Sequence, residues 1–364
     1  MVGDTRFVSL PSADARLYLG AVRAAQIVGG ILLPVLRSIA TVAVQLLAVS
    51  IVAFVVLRLL PADPLAMMLP PNATIEDAER MRHAFGLDRP ILEQFWIWLV
   101  QAVQGDFGKS IQSSVPVSKL ILTALPTTIE LAVFGLLLGI AAGFVLGIVT
   151  FHYRGTALER VCETAASLSQ SIPEFLWGIL FILVFGLGLH LLPFIGPIDA
   201  RVIVPSHTGF LFIDTAWNGQ WDAFGNHLLH LVMPAFALAM LKAALIMRLL
   251  RSSLIETYRE DYVNAARLRG VGERRILFHH ALRNAVLPTV TLIGVQAAHT
   301  FGGTLLIEAI YSLPGLGNLM IGAIRTQDLP LIQGILLTYC GMVLLLNRSV
   351  DLTYRWLNPR LRAA

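Results

Sequence analysis

The chain has 364 residues, 56% of them hydrophobic and only 14% charged, with a formal net charge of +4. Soluble domains carry about 25% charged residues. With a mean hydropathy of +0.72, this composition excludes an ordinary soluble domain or a disordered chain and points to a membrane protein.

In chain order, residues 1–34 hold the start of an apolar run, Ala24–Leu36, that is too short to cross a bilayer. No clear signal-peptide cleavage site follows, so they read as a cytoplasmic or interfacial extension. Residues 35–60 form the first span, with an uncharged centre at Ile39–Leu57. An external helical segment follows over 61–125. In it Thr74 caps a helix with acids in its first turn, and Gly86 stops that helix. Pro90 opens another, whose Phe95, Trp96, Trp98 and Leu99 suit a membrane surface. The core, 126–357, supplies five more spans at Leu131–Val149, Phe175–Leu189, Leu228–Met247, Ala285–Ile307 and Leu329–Leu346. The second of these is short and is extended back through Ser171-Ile172-Pro173. A tail, 358–364, ends the chain. The expected fold is therefore an all-α polytopic membrane protein with six transmembrane helices.

Lys242 lies near the end of its span, where a lysine can snorkel. Glu130, Glu174 and Glu308 fall at span edges, which leaves no mid-span carboxylate of the kind that proton-coupled pumps use.

The loops sort by charge. Residues 249–284 carry seven arginines (251, 259, 267, 269, 274, 275 and 283). Arg154 and Arg160 mark another basic loop, and Arg355, Arg360 and Arg362 mark the C-terminal end. Gly196–Asn226 has only Arg201, and Tyr311–Gln327 only Arg325. Positive charge accumulates on the cytoplasmic side. That rule places both termini and the loop 249–284 in the cytoplasm.

The loop has its own pattern. Leu254, Tyr258, Tyr262, Ala265 and Ala266 recur at helical spacing. Ala265 and Ala266 remove bulk from that face, so another protein's backbone can approach. Gly270 and Gly272 break the helix. Glu273 starts a second one, with Ile276, Leu277, His280 and Ala281 on one side. A solvated basic linker, the ordinary meaning of an arginine-rich stretch, requires neither the small-residue face nor the glycine bend.

The stretch "DYVNAARLRGVGERRILFHHALRNAVLP" (261–288) resembles the E-A-A-x3-G loop of type I ABC importer permeases, in their dipeptide/oligopeptide (peptide/nickel) branch. "FGLDRPILEQFWIWLVQAVQGDFGKS" (85–110), "VSKLILTALPTTIELA" (117–132), "IEAIYSLPGLGNLM" (307–320) and "NPRLR" (358–362) are similar to further passages of that branch, in the same order. The likeness covers about residues 36–362. Asn264 stands where many members carry an acid, and His280-Ala281-Leu282-Arg283 replaces the family-wide I-x-L-P ending.

The resemblance implies a permease subunit that forms half of a translocation pore. Its partners would be a homologous second permease in a heterodimer, two cytosolic ABC ATPases, a periplasmic or lipid-anchored substrate-binding protein, and the lipid of a bacterial inner membrane; no nucleic acid is implied. Tyr262, Asn264, Ala265, Ala266, Arg267, Gly270, Glu273 and Arg274 would dock on the ATPase. The substrate would be a di- or oligopeptide, with nickel chelates, glutathione or oligosaccharides as alternatives within the same machinery. The partner ATPases would use ATP and magnesium. The chain itself has no G-x4-G-K-[ST] sequence, so no cofactor and no catalytic residue of its own is expected.

Glu174, in "SIPEF", and Tyr311 are candidate pore or substrate contacts, although Tyr311 also suits a turn that packs on the external segment. The pairs His227/His230 and His279/His280 raise a membrane-embedded metalloenzyme as a distant alternative, but three or four ligands are needed and no acid or cysteine completes either pair.

Overall fold

The computed structural model describes residues 39–56 and 88–357, with 74, 76, 79, 80 and 83 between them; from 351 onward it describes backbone alone. The expected extension 1–34, the helix stop at Gly86 and the tail 358–364 lie outside the described residues. Helix α1, Ile39–Val56, is apolar and long enough to cross a membrane. The chain divides into two compact units at Val52, the second of which runs from Ala53 onward.

Described in order, that unit contains α2 (Ile91–Val103), α3 (Val117–His152), α4 (Ala157–Ser171) and α5 (Glu174–Phe181), which runs on as a π-helix over Ile182–Gly188. Next come α6 (Leu211–Trp217), α7 (Trp221–Thr257) and α8 (Asp261–Leu268). The short α9 (Glu273–Arg275) leads through a π-helical turn, Ile276–Ala281, into α10 (Leu282–Ile310). Helices α11 (Leu316–Arg325) and α12 (Leu329–Leu357) follow. Among the described residues, five helices are long and apolar enough to span, and a sixth span arises if the bent pair α4–α5 counts as one.

The third expected span needs correction. The expected span extends back through Ser171-Ile172-Pro173. The chain instead turns by 108° at that point, and α4 and α5 are separate rods. Pro173 supplies the reason: the residue before a proline avoids helical angles, and Ile172 is extended at ψ 124°.

The centre of the fold is the pairing of α3 with α7. Gly135, Gly139, Gly143 and Gly147 repeat every fourth residue along α3, and against them lie Leu238, Lys242, Ile246 and Leu250 of α7, also every fourth residue. A β-carbon on Gly143 would stand 2.6 Å from Ile246 Cβ. Small residues at that spacing let two backbones approach closely where no hydrophobic driving force operates in lipid. At 36 and 37 residues, both helices are about 54 Å long. They exceed the roughly 30 Å hydrocarbon core, so their ends belong to protein rather than lipid.

Three of the apolar clusters along this pair mark its two ends and its middle. At the N-terminal end of α3, Val117 and Ile121 pack on Leu316, Met320 and Ile332. In the middle, Leu131, Leu231 and Leu238 meet Ile307, Tyr311 and Leu313. At the far end, Phe151, Leu250 and Leu254 meet Leu277, Ala281 and Ala285. Helix α2 places Phe95 and Trp98 against Phe54, with ring centroids 5.4 and 5.8 Å away, and leaves Trp96 exposed. That suits the expected interfacial helix. Ser110 donates to Asp328 Oδ2 at 2.5 Å, and Asp328 Oδ1 accepts from Leu331 N–H, so one buried carboxylate caps α12 and ties down the loop before α3.

Candidate functional site

The arginine loop is a compact bracket. Helix α7 ends at Thr257, Tyr258–Glu260 turn, and α8 begins at Asp261. The single face drawn from Leu254 to Ala266 is therefore interrupted. Gly270 has φ +79°, an angle that costs other residues more than glycine. Its N–H donates to Arg267 O at 2.9 Å, and Val271 N–H donates to Ala266 O at 3.1 Å, which closes the helix end. Gly272 then precedes α9, whose first residue, Glu273, places a carboxylate at a helix N-terminus.

Ala266 requires a second correction. It is turned inward with Val263 and Ile276 in a small core flanked by Tyr258 and Val271. It is not on the outward face that the sequence reading gave it. Ala265 is half-buried, Tyr262 is 39% exposed, and Leu268 is 90% exposed. Of the loop's apolar side chains, Leu268 presents the most surface, and the sequence reading did not single it out.

The polar residues brace the bend. Arg267 Nε donates to Glu273 Oε1 at 2.6 Å and its Nη1 to Asn264 Oδ1 at 3.3 Å. The bond to Glu273 holds the Arg267 guanidinium above its ordinary pKa. Its Cζ also lies 5.4 Å from the Tyr258 ring centroid. Burial, with the Glu273 charge adding to it, pushes the Tyr258 hydroxyl up. The Tyr258 ring packs at a tilt on Phe151 of α3, with centroids 4.7 Å apart. Tyr262 Oη accepts from Asn284 Nδ2 at 2.8 Å and lies 3.5 Å from His280 O, which pins α8 to α10. Of the polar side chains among the expected docking residues, that of Arg274 alone is exposed without a hydrogen-bond or ion-pair partner among the described residues.

A second bracket lies beside it. Arg251 pairs with Glu159, and with Glu163 at 3.4 Å. Arg248 pairs with Glu163 at 3.2 Å and donates to Ser167 Oγ at 2.5 Å. These contacts lock α4 to the last turns of α7. Sequence reasoning missed them, although the i, i+3 arginines and i, i+4 glutamates were a visible signal.

The span-edge carboxylates are corrected as a group. Lys242 does not snorkel: it is fully buried, and its Nζ donates to Glu174 Oε1 at 2.6 Å and to Leu238 O at 2.8 Å. Glu174 thus stands at the α4–α5 corner, bound to the middle of α7. Glu130 is buried within α3, where Oε1 accepts from Phe212 N–H at 2.9 Å and Oε2 lies 3.4 Å from His227 Nε2. Glu308 is fully buried and accepts from Gly317 N–H at 2.6 Å. Its carboxylate fills the space above Gly315 and Gly317, where a side chain would collide.

Tyr311 is 1% exposed and donates its hydroxyl to Gly178 O at 2.9 Å. It fastens the α10–α11 turn to α5 and does not open to a pore. His227 Nδ1 lies 2.6 Å from Pro197 O, and His230 Nδ1 lies 2.9 Å from Asn226 O. Among the described residues, no three His, Cys, Asp or Glu side chains gather as a metal site.

The chain matches two families. Residues 135–363 match the "Binding-protein-dependent transport system inner membrane component" family, and residues 31–132 match the N-terminal membrane-component family of the same systems. It is 34% identical over 316 residues to the di/tripeptide transport system permease protein DppB of Pseudomonas aeruginosa, covering 86% of this chain and 94% of that one. It is 33% identical over 336 residues to the dipeptide transport system permease protein DppB of Escherichia coli K12, covering 90% and 98%. Among solved structures, inward-facing MetNI methionine ABC transporter aligns with a TM-score of 0.49 at 16% identity, over 66% of this chain and 96% of that one. The chain belongs to the family of inner-membrane components of binding-protein-dependent transport systems.

Proposed function

We propose that this chain is the permease subunit of an ATP-driven type I importer, forms half of its translocation pore, and carries short peptides handed over by an external binding protein. The observation that carries the reading is the match to relatives named as dipeptide permeases over nearly their whole length. Both chain ends and the loop 249–284 face the cytoplasm of a bacterial inner membrane. A homologous second permease completes the pore, two ABC ATPases hydrolyse ATP, and this chain performs no catalysis.

The braced loop supports a mechanical role. Rotation of an ATPase against α8 is passed through Tyr262–Asn284 to α10 and through Tyr258–Phe151 to α3. The three arginine–glutamate pairs carry it on to α4. The nucleotide state then biases one of two pore arrangements.

Reconstitution tests the reading. Vesicles holding this chain alone should neither hydrolyse ATP nor accumulate labelled dialanine. Adding the sister permease, the ATPases and a loaded binding protein should give ATP-dependent uptake. Comparable downhill flux through the lone chain would make it a channel or carrier.

A further inference from the structure

Along α10 the exposed positions Leu287, Thr291, Val295, His299, Gly302 and Leu306 recur at spacings of three and four, which places them on one stripe. His299 lies about 12 Å along the helix from Ile307 at 1.5 Å per residue, well inside the span. Ionisable side chains at such depth face a water-filled cavity or protein rather than hydrocarbon. Exposed side chains of α3 and of the π-helix that follows α5, Leu137, Val145, Leu183 and Val184, are apolar and suit lipid.

The stripe has a second polar neighbour. A side chain at Gly303 would collide with the Glu174 carboxylate, so that carboxylate lies over α10 one turn from His299. Lys242 takes Oε1, Oε2 has no partner among the described residues, and the Glu174 side chain is 16% exposed. At Gly302 the side-chain position is open space.

We propose that Glu174 Oε2 and His299 form a peptide-contact station on the pore wall. Oε2 accepts the terminal ammonium of the substrate, and the imidazole hydrogen-bonds to the adjacent peptide group. Lys242 is the positioning residue that orients the carboxylate. The gap at Gly302 leaves room for side chains of different sizes, so the contacts address what short peptides share. This inference rests on the peptide-importer reading.

The test uses the full complex in proteoliposomes, with radiolabelled dialanine as probe and with Cys162→Ser and Cys340→Ser in the background. His299→Cys and Gly302→Cys should react with a charged, impermeant thiol reagent, and dialanine-loaded binding protein with ATP should slow the reaction. Val145→Cys, on the lipid side, should not react. His299→Ala should lower uptake about tenfold, the effect of losing one or two good hydrogen bonds, while the complex still co-purifies with its ATPases. Glu174→Gln combined with Lys242→Met removes both charges and keeps the packing, and should lower uptake to a similar extent; a purely structural pair would keep it. Unreactive cysteines, or unchanged uptake in both the histidine and the double variant, overturn the station alone. If the unaltered complex accumulates no dialanine, the peptide reading falls and the station's ligand falls with it.

Discussion

Lys242 Nζ and Glu174 Oε1 lie 2.6 Å apart with the lysine side chain 1% exposed, so the corner between α4 and α5 is fastened to the middle of the α3–α7 pair by one buried ion pair. Removing one member of such a pair strands the other charge and costs about 3–5 kcal/mol, whereas replacing both with neutral groups of similar volume costs far less. Lys242→Met should therefore lower the thermal unfolding midpoint of the purified complex, and Glu174→Gln in addition should restore much of it. A double variant less stable than the single one would refute an electrostatic origin.

Gly143 sets the separation of α3 and α7. Gly143→Val should force the helices apart and cost about 1–3 kcal/mol of overpacking, seen as reduced yield of folded subunit. Gly341→Ala, with nothing within 4 Å of the added carbon, should be neutral in the same assay.

The loop separates backbone effects from docking effects. Gly270→Val should strain the φ +79° turn by about 1–3 kcal/mol and reduce uptake with insertion intact, while Gly270→Asn should be milder because asparagine tolerates that region. Leu268→Asp should leave the fold unchanged and weaken co-purification with the ATPases. Ala266→Trp should instead disrupt the small core with Val263 and Ile276.

Asp214 anchors the chain at the end opposite the arginine loop. Burial pushes its carboxyl up, but hydrogen bonds from the Thr208 backbone and hydroxyl, Gly209 and His207 outweigh that and hold it below its ordinary value. The stabilisation is complete above the ordinary aspartate range and is lost as pH falls through the depressed value. Tryptophan fluorescence from Trp217 and Trp221 should report loosening only in acid below about pH 4. Asp214→Asn keeps one acceptor oxygen but turns an amide N–H₂ towards some of these donors, and should raise hydrogen exchange at 206–210 at neutral pH.

Orientation is tested separately. A single cysteine at Arg259 or Arg274 should resist an impermeant thiol reagent added outside intact cells and react after permeabilisation. Ready labelling from outside would invert the topology.

Composition and apolar run length were enough to read an all-α membrane protein and five of its six expected spans, because each depends on a local stretch of chain. The Gly270 bend and the Glu273 helix start were legible for the same reason. Other features needed the crossing of helices. Glu130, Glu174, Lys242 and Glu308 look like span-edge residues when measured against a bilayer, but α3 and α7 outrun the bilayer, and these side chains meet partners inside the protein. Ala266 has the spacing of an outward face, and Tyr311 sits in an apparent turn. Both are buried because α8 folds back on Ile276 and the α10–α11 turn folds onto Gly178. Periodicity in sequence identifies the residues that share a helix face. Which neighbour covers that face is decided by how closely two helices approach, and here four glycines on α3 decide it by admitting α7.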